Sequence, residues 1–217
     1  MLKADLHVHT CYSMDSSTPL EEIIAQCLKT GINCLAVSDH GTIEGALKLK
    51  EIAPFKVIVA EEILTPVGEL MGLFLTERIP GGLSVAETIA RIRKQGALVS
   101  IPHPFGRPHL PGPRELVSAE TVSHVDIIEV FNARTPLPGS SRKARRLALK
   151  YGRATSAGSD AHIASEIGRA YVEMPDFQGP DDFLDCLREG KIFGSKSSVT
   201  VHFTGMLTKV TKHLQGD

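Results

Sequence analysis

The sequence predicts an α/β fold, a distorted (β/α)7-type barrel with its site at the C-terminal ends of the strands, and three observations predict it. Seven apolar, strand-like runs alternate with helix-like segments along the chain, the pattern of a parallel sheet with right-handed helical crossovers. Clusters of His, Asp and Glu follow at least six of those runs, on the C-terminal side each time. An open doubly wound sheet would concentrate such groups at one or two switch points, whereas a closed barrel rings a single site with its strand ends. The chain, at 217 residues, is short for eight full β/α units, so a reduced barrel is expected.

The elements follow in order. Leu2 to Leu6 reads as a strand, and Thr18-Pro19-Leu20-Glu21 opens a helix in which Thr18 caps, Glu21 reaches back and Pro19 takes the first turn. Gly31 ends that helix. Asn33 to Val37 is a buried strand, Ile43 to Ile52 a helix, and Lys56 to Ala60 a strand rich in β-branched residues. Leu70 to Leu75 is a neighbouring strand. Ser84 with Glu87 marks another capping box, whose helix runs to Gly96. Strands are expected at Ala97 to Ile101 and Val125 to Phe131, then a helix from Ser141 to Tyr151 stopped by Gly152. A short strand at Ala154 to Ala157 and a helix from Pro180 to Arg188 complete the series. The Pro/Gly-rich stretch from Pro102 to Pro113 reads as a long loop at the site. One domain over residues 1–217 is expected, with residues 205–217 a loosely held polar tail.

Composition narrows the function classes. A hydrophobic fraction of 42% and a charged fraction of 23% suit a globular protein. The net charge of −1 gives no overall pull toward nucleic acid or an anionic membrane. Apolar stretches are too short for a membrane span, and Asp5, His7 and His9 fall where the apolar part of a signal peptide would lie, so a cytoplasmic protein is expected. Cys27, Cys34 and Cys186 read as buried thiols, and Cys11 as a loop thiol beside the site, with thiolate ligation there as the alternative.

The clusters themselves point to metal. Asp5-Leu6-His7-Val8-His9-Thr10 and Gly158-Ser159-Asp160-Ala161-His162 each space imidazole or carboxylate groups two apart after a strand, and alternate residues of a strand share one face. Ser38-Asp39-His40, Glu61-Glu62 and Pro102-His103-Pro104 repeat the theme. Carboxylates gathered this densely need cations to neutralise them. A polynuclear metal site is the expectation.

These motifs, with Gly41 after His40 and Ile63 after Glu62, resemble in order the motifs of the PHP (polymerase and histidinol phosphatase) family, over about residues 2 to 175. The similarity is to its short, stand-alone phosphoesterases. It implies a distorted β/α barrel carrying two or three divalent metals, commonly manganese, zinc or iron. Carried over by residue, one metal takes His7, His9, Glu62 and Asp160. A second shares Glu62 as a bridge and adds His103, and a third takes Asp15, His40 and His162. Many relatives give the second metal another histidine where this chain has Asn132, whose amide oxygen is the expected, weaker ligand. Glu69 stands near where some relatives have histidine, with an exposed strand-edge charge as the alternative. Asp39 is expected to orient His7 or another ligand from behind.

The implied chemistry is phosphoester hydrolysis, with a metal-bound water ionised near neutral pH as nucleophile. The substrate would be a small phosphorylated metabolite or a nucleotide. Arg134 and Arg107 are candidate cations for its phosphate, with a plain exposed arginine as the alternative for each and the favoured one for Arg107, and His109 is a candidate proton donor with a plain loop histidine as the alternative. The run Arg142-Lys143-Ala144-Arg145-Arg146 reads as a solvated helix face, with Leu147 and Tyr151 inward. With three tyrosines and no tryptophan, single-stranded nucleic acid is not the favoured partner. Two alternatives stay open: a non-catalytic, metal-stabilised binding module, and a metal-dependent C–N hydrolase.

Overall fold

A right-twisted ribbon of strands curls almost completely round in the computed structural model, which describes residues 1–106 and 113–196. Arg107 and His109, the tail from 205 to 217, and His202 and His213 lie outside the described residues. Strand β1 (Leu2–Val8) leads to helix α1 (Leu20–Thr30), β2 (Cys34–Val37), α2 (Glu44–Ile52), β3 (Lys56–Thr65) and β4 (Gly68–Leu73). Then come α3 (Val85–Lys94), β5 (Leu98–Ile101), α4 (Pro113–Leu116), α5 (Ala119–Ser123), β6 (Ile127–Asn132), α6 (Ser140–Tyr151) and β7 (Ala154–Gly158). Strand β8 (Ala170–Met174), α7 (Pro180–Glu189) and β9 (Lys191–Gly194) end the described chain.

The sheet order is β7-β6-β5-β4-β3-β2-β1-β8-β9. Strands β1, β2 and β3 run parallel, as do β5, β6 and β7. Strand β4 is antiparallel to both neighbours, because the short turn after Thr65 leaves no room for a crossover helix. The seam closes between β1 and the segment after β7, through a parallel bridge of Val8 with Ala161. Two backbone bonds hold it, His9 N–H to Ala161 O at 2.9 Å and Asp160 N–H to His7 O at 2.8 Å. Seven strands thus form the barrel. Strands β8 and β9, which the sequence reading lacked, extend the sheet from the N-terminal half of β1.

Two apolar layers hold this shape. The interior of the barrel is small and aliphatic, with Ala4, Leu6, Ala36, Ile58, Ala60 and Ile127. Its N-terminal end is stoppered by Phe74, Phe177 and Phe183, packed edge to face with centroids 4.9–5.9 Å apart. The outer layer joins strand residues such as Leu35, Val37, Val59, Val99 and Ile128 to the buried helix stripes. Leu20, Ile23 and Cys27 are the stripe of α1, at helical spacing, and Gly31 at φ 74° ends that helix in the left-handed conformation glycine favours.

Capping differs from expectation at one end and agrees at another. Ser84 accepts from Glu87 N–H at 3.2 Å, as predicted. Thr18 does not cap α1. Its hydroxyl donates to His162 O at 2.9 Å, so it ties the first loop to the segment after β7. On α6 the buried face is Ala144 and Ala148, with Leu147 and Tyr151 only half-buried, while Arg142, Lys143, Arg145 and Arg146 are exposed. Small residues there let the helix lie close against the sheet. No helix among the described residues is long and apolar enough to cross a membrane.

The aromatic stopper makes a stability prediction. Phe183 is fully buried, and Phe183→Ala is expected to cost about 3–5 kcal/mol in denaturant unfolding. A loss below about 1 kcal/mol would show that the barrel end collapses to refill the space.

Candidate metal centre

The site begins with a fault in β1. Ala4 pairs with Cys34 and Asp5 with Leu35, but Val8 pairs with Val37, so β1 carries one extra residue between Asp5 and Val8. A bulge re-aims the side chains that follow it. Leu6 and His7 both turn inward, whereas strict alternation would send His7 outward with Asp5. Asp5 instead clamps the segment after β7, accepting from Ser159 N–H at 2.8 Å and Gly168 N–H at 2.9 Å. A second register shift lies in β6, between Glu129 and Phe131.

Eight of the predicted ligand residues converge at the C-terminal mouth of the barrel. His7 Nε2 lies 3.1 Å from His9 Nε2 and 3.2 Å from Glu62 Oε2. The same oxygen is 3.4 Å from His9 Nε2 and 3.4 Å from His40 Nε2. Glu62 Oε1 faces the other way, 2.9 Å from His103 Nε2. Asp15 Oδ2 is 3.1 Å from His162 Nε2 and 3.5 Å from His40 Nε2. Four overlapping triads result: His7, Glu62 and His103; His7, His9 and Asp160; His9, His40 and Glu62; His9, Asp15 and His162. Glu62 sits within β3, which continues to Thr65 beyond the end expected at Ala60.

The donor set fits divalent cations. Asp160 Oδ1 is buried without a hydrogen-bond partner among the described residues. Yet it stands 3.6 Å from His7 Nε2, 3.4 Å from His9 Nε2 and 3.6 Å from His162 Nδ1. Ligand atoms about 2.1 Å from one ion lie about 3.0 Å apart at octahedral angles and about 3.4 Å apart at tetrahedral ones. The observed separations span that range.

Charge tells the same story. Burial alone would lower the His7 imidazole, but Asp160, Glu62 and Glu129 hold it well above its ordinary value. His9 is pushed up to about 9 in the same way, against burial, by Asp160 and Glu62. Burial would raise Glu62 and Asp160, and the surrounding imidazoles instead hold both well below the usual carboxylate range. The carboxylates draw positive charge into the mouth of the barrel, and protons and metal ions compete for it.

Several residues act from behind the cluster. Glu129, an inward residue of β6, places Oε1 3.2 Å from His7 Nδ1 and accepts from His103 N–H through Oε2 at 2.7 Å. Such a carboxylate behind an imidazole fixes its tautomer and orientation. Sequence reasoning missed this role, although the inward register of Ile127 and Glu129 signals it. Ser13 donates to Asp15 Oδ1 at 2.7 Å and accepts from His40 N–H at 3.2 Å. Glu166 accepts from His162 N–H at 3.1 Å and lies 3.5 Å from Arg134 Nη1. Asp160 and His103 adopt left-handed φ values of 56° and 25°, each at a cost of about 1–3 kcal/mol.

Three expectations change. Among the described residues Asp39 touches no histidine by hydrogen bond; it accepts from the backbone N–H and the hydroxyl of Thr10, both at 2.6 Å, and fixes the loop after β1. Asn132 does not offer its oxygen to the cluster. Oδ1 takes Arg134 N–H at 3.0 Å and Thr135 N–H at 3.1 Å, while Nδ2 donates to Glu129 at 3.1 Å and Asp160 at 3.2 Å. Turning the amide would set its N–H groups against two backbone donors. Glu69 is no exposed edge charge: it is buried, with Oε2 3.7 Å from His103 Nε2. Glu61 points to the other face of β3 and accepts from Ile79 N–H at 2.7 Å. Cys11 and His124 are exposed. Beside His103 and Asn132 lies a shallow recess lined by Phe105, Thr135, Ser140 and Ala144.

Known proteins share this pattern. The PHP domain matches residues 5–68, and the PHP-associated domain PHP_C matches residues 138–192. A protein of Methanocaldococcus jannaschii described only as uncharacterized is 39% identical over 197 residues, covering 86% of this chain and 79% of its own length. A probable phosphatase of Caldicellulosiruptor saccharolyticus is 26% identical over 203 residues, covering 79% and 84%. Among solved structures, a two-domain protein containing a predicted PHP-like metal-dependent phosphoesterase, from Bacteroides vulgatus, superposes with a TM-score of 0.69 at 16% identity. That match covers 95% of this chain and 69% of the other.

Two predictions follow from the geometry. A Cβ on Gly158 would stand 2.3 Å from His7 Cβ and 2.8 Å from His7 N. Gly158→Ala should therefore displace β1 at His7 and lower metal affinity in titration calorimetry, and unchanged affinity would show that β7 yields instead. Glu61 is buried, with Oε1 unpartnered among the described residues, and burial pushes it from 4.5 up to about 7 despite the Ile79 bond. An acid raised in the folded state contributes fully below its unfolded pKa, and that contribution is lost as pH rises to the folded one. Wild type should lose on the order of 3 kcal/mol relative to Glu61→Gln between pH 4.5 and 7. A pH-independent difference in urea unfolding would contradict this.

Proposed function

We propose that this chain, which belongs to the PHP domain family, is a metal-dependent phosphoesterase acting on a small phosphorylated metabolite or nucleotide. The observation that carries the reading is Asp160 Oδ1, buried, without a hydrogen bond among the described residues, and ringed by three imidazole nitrogens. His7, His9, Glu62 and Asp160 would hold one ion, His103 with Glu62 a second, and Asp15, His40 and His162 a third. Divalent ions so held supply Lewis acidity toward phosphoryl oxygens and make water a competent nucleophile near neutral pH.

The chain's own residues do the rest. Glu129 holds the His7 ring and the His103 backbone together, so two of the three ion sites keep a fixed relation. Asp5 and Thr18 fasten the segment that carries Asp160 and His162. Arg134, half-buried at the rim and steadied by Glu166, supplies a fixed cation for non-bridging oxygens of the substrate.

The test is metal content of the purified protein, with hydrolysis of generic phosphate mono- and diesters after manganese loading. Two or three equivalents and metal-dependent turnover are expected. Asp160→Ala should lose metal and at least about 100-fold in kcat/KM, about 3 kcal/mol, with an unchanged circular dichroism spectrum. Full metal stoichiometry in that variant would overturn the ligand assignment. Metal without turnover on either ester would favour the C–N hydrolase or the binding module.

A further inference from the structure

We infer that Lys196, just past the end of β9, is a positioning residue of the site: it fixes the loop after β6 and, through that loop, Arg134, and so sets affinity for the substrate's phosphate. The inference rests on the role proposed for Arg134 above and extends it to a pair of strands that the barrel does not need for closure.

Strand β8 pairs antiparallel with the N-terminal half of β1, and β9 antiparallel with β8, so β9 runs parallel to β1 toward the mouth. The barrel closes past this pair through Val8 and Ala161, and β8 and β9 lie against β7. Strand β9 then crosses the side chain of Phe131, beside the register shift of β6. The crossing is tight: a Cβ on Gly194 would stand 2.3 Å from Phe131 Cε1. Ser195 N–H donates to Arg169 O at 2.7 Å and carries the pairing of β8 with β9 one residue further. Lys196 follows. Its Nζ stands 5.9 Å from the centroid of the Phe131 ring and donates to Thr135 O. Burial lowers this ammonium from the ordinary lysine value, and a charge drawn out of water needs partners such as these.

Thr135 follows Arg134 directly, so its carbonyl is a handle on that residue's backbone. Ties from several directions hold the pair: Asn132 Oδ1 takes the N–H groups of both, Glu166 lies 3.5 Å from Arg134 Nη1, and Lys196 holds Thr135 O. Asn132 and Glu166 belong to the barrel and to the segment that closes it. Only the lysine comes from beyond β9, and among the described residues it bonds to none of the clustered histidines or carboxylates. Removing its donor therefore spares the ion-holding cluster and frees the loop. A phosphate held partly through Arg134 is then bound more weakly in ground and transition states alike, a loss that falls on KM and not on kcat.

The experiment compares the manganese-loaded full chain as wild type, Lys196→Met and Lys196→Arg. Methionine keeps an apolar stem against Phe131 and removes the donor, and arginine restores a donor of similar reach. Each protein is measured for metal content, for hydrogen exchange in the peptide carrying Arg134 and Thr135, for hydrolysis of generic phosphate mono- and diesters, and for inorganic phosphate binding by calorimetry. In Lys196→Met, exchange should quicken by about tenfold or more. Its KM and its phosphate Kd should each rise about fivefold or more, with kcat within about twofold of wild type. Lys196→Arg should bring these values back. Wild-type exchange in Lys196→Met overturns the inference, and so does quickened exchange with wild-type KM and phosphate affinity. Loss of metal from that variant would make the lysine a structural support of the barrel and overturn it too. A wild type that binds phosphate but hydrolyses neither ester sinks the phosphoesterase alone, and weakened phosphate binding in Lys196→Met then still upholds the lysine. A wild type that neither binds phosphate nor hydrolyses an ester overturns both.

Discussion

Everything at the mouth of this barrel depends on burying negative charge. Asp15, Glu62 and Asp160 stand almost fully out of water among five imidazoles. An unpaired buried carboxylate costs several kcal/mol, so no arrangement of these residues is stable unless positive charge comes with them. The backbone has been bent to make that arrangement. Strand β1 bulges to turn His7 inward, and β6 bulges beside Glu129. Asp160 and His103 take left-handed conformations, and Gly158 and Gly45 leave room where a Cβ would meet His7 or Asp39 at 2.2–2.3 Å. Two continuous apolar layers stand against these costs, with each fully buried Leu, Ile or Phe contributing about 1.5–3 kcal/mol.

Much of this was legible in the sequence, because a barrel writes its site into the ends of its strands. Short apolar runs placed the seven barrel strands, and the residues at their C-terminal ends, His40, His103, Asp160 and His162 among them, do meet. What stayed hidden depends on one-residue events that periodicity does not carry. A bulge leaves no mark in hydropathy, so the inward turn of His7 and the outward turn of Asp5 were invisible. The direction of an amide is set by its neighbours, so Asn132 looked like a donor to metal until Arg134 and Thr135 were seen to hold its oxygen. Thr18 fits the capping pattern but bonds across 144 residues to His162, and no local pattern encodes such a partner. Glu129 was hidden for the opposite reason: an acid in an apolar strand reads as a departure from the pattern, and here the departure holds two histidines of the cluster.

Glu62 is the hub through which the corners of the site communicate. One of its oxygens faces His7, His9 and His40, and the other faces His103. A shift at either oxygen turns the whole carboxylate, so occupancy at one corner bears on geometry at the other. Glu129 makes a second such link, from the His7 ring to the His103 backbone. These two residues leave the strand ends little freedom to vary. On the reading proposed above, the strand ends hold the ions, and the choice of substrate falls to what surrounds them: Arg134 and Thr135 after β6, Phe105 after β5, and the first turn of α6. Those groups sit on loops and a helix end, where sequence can change without disturbing the buried charge. On that reading the chemistry is set by the strands and the specificity by the loops.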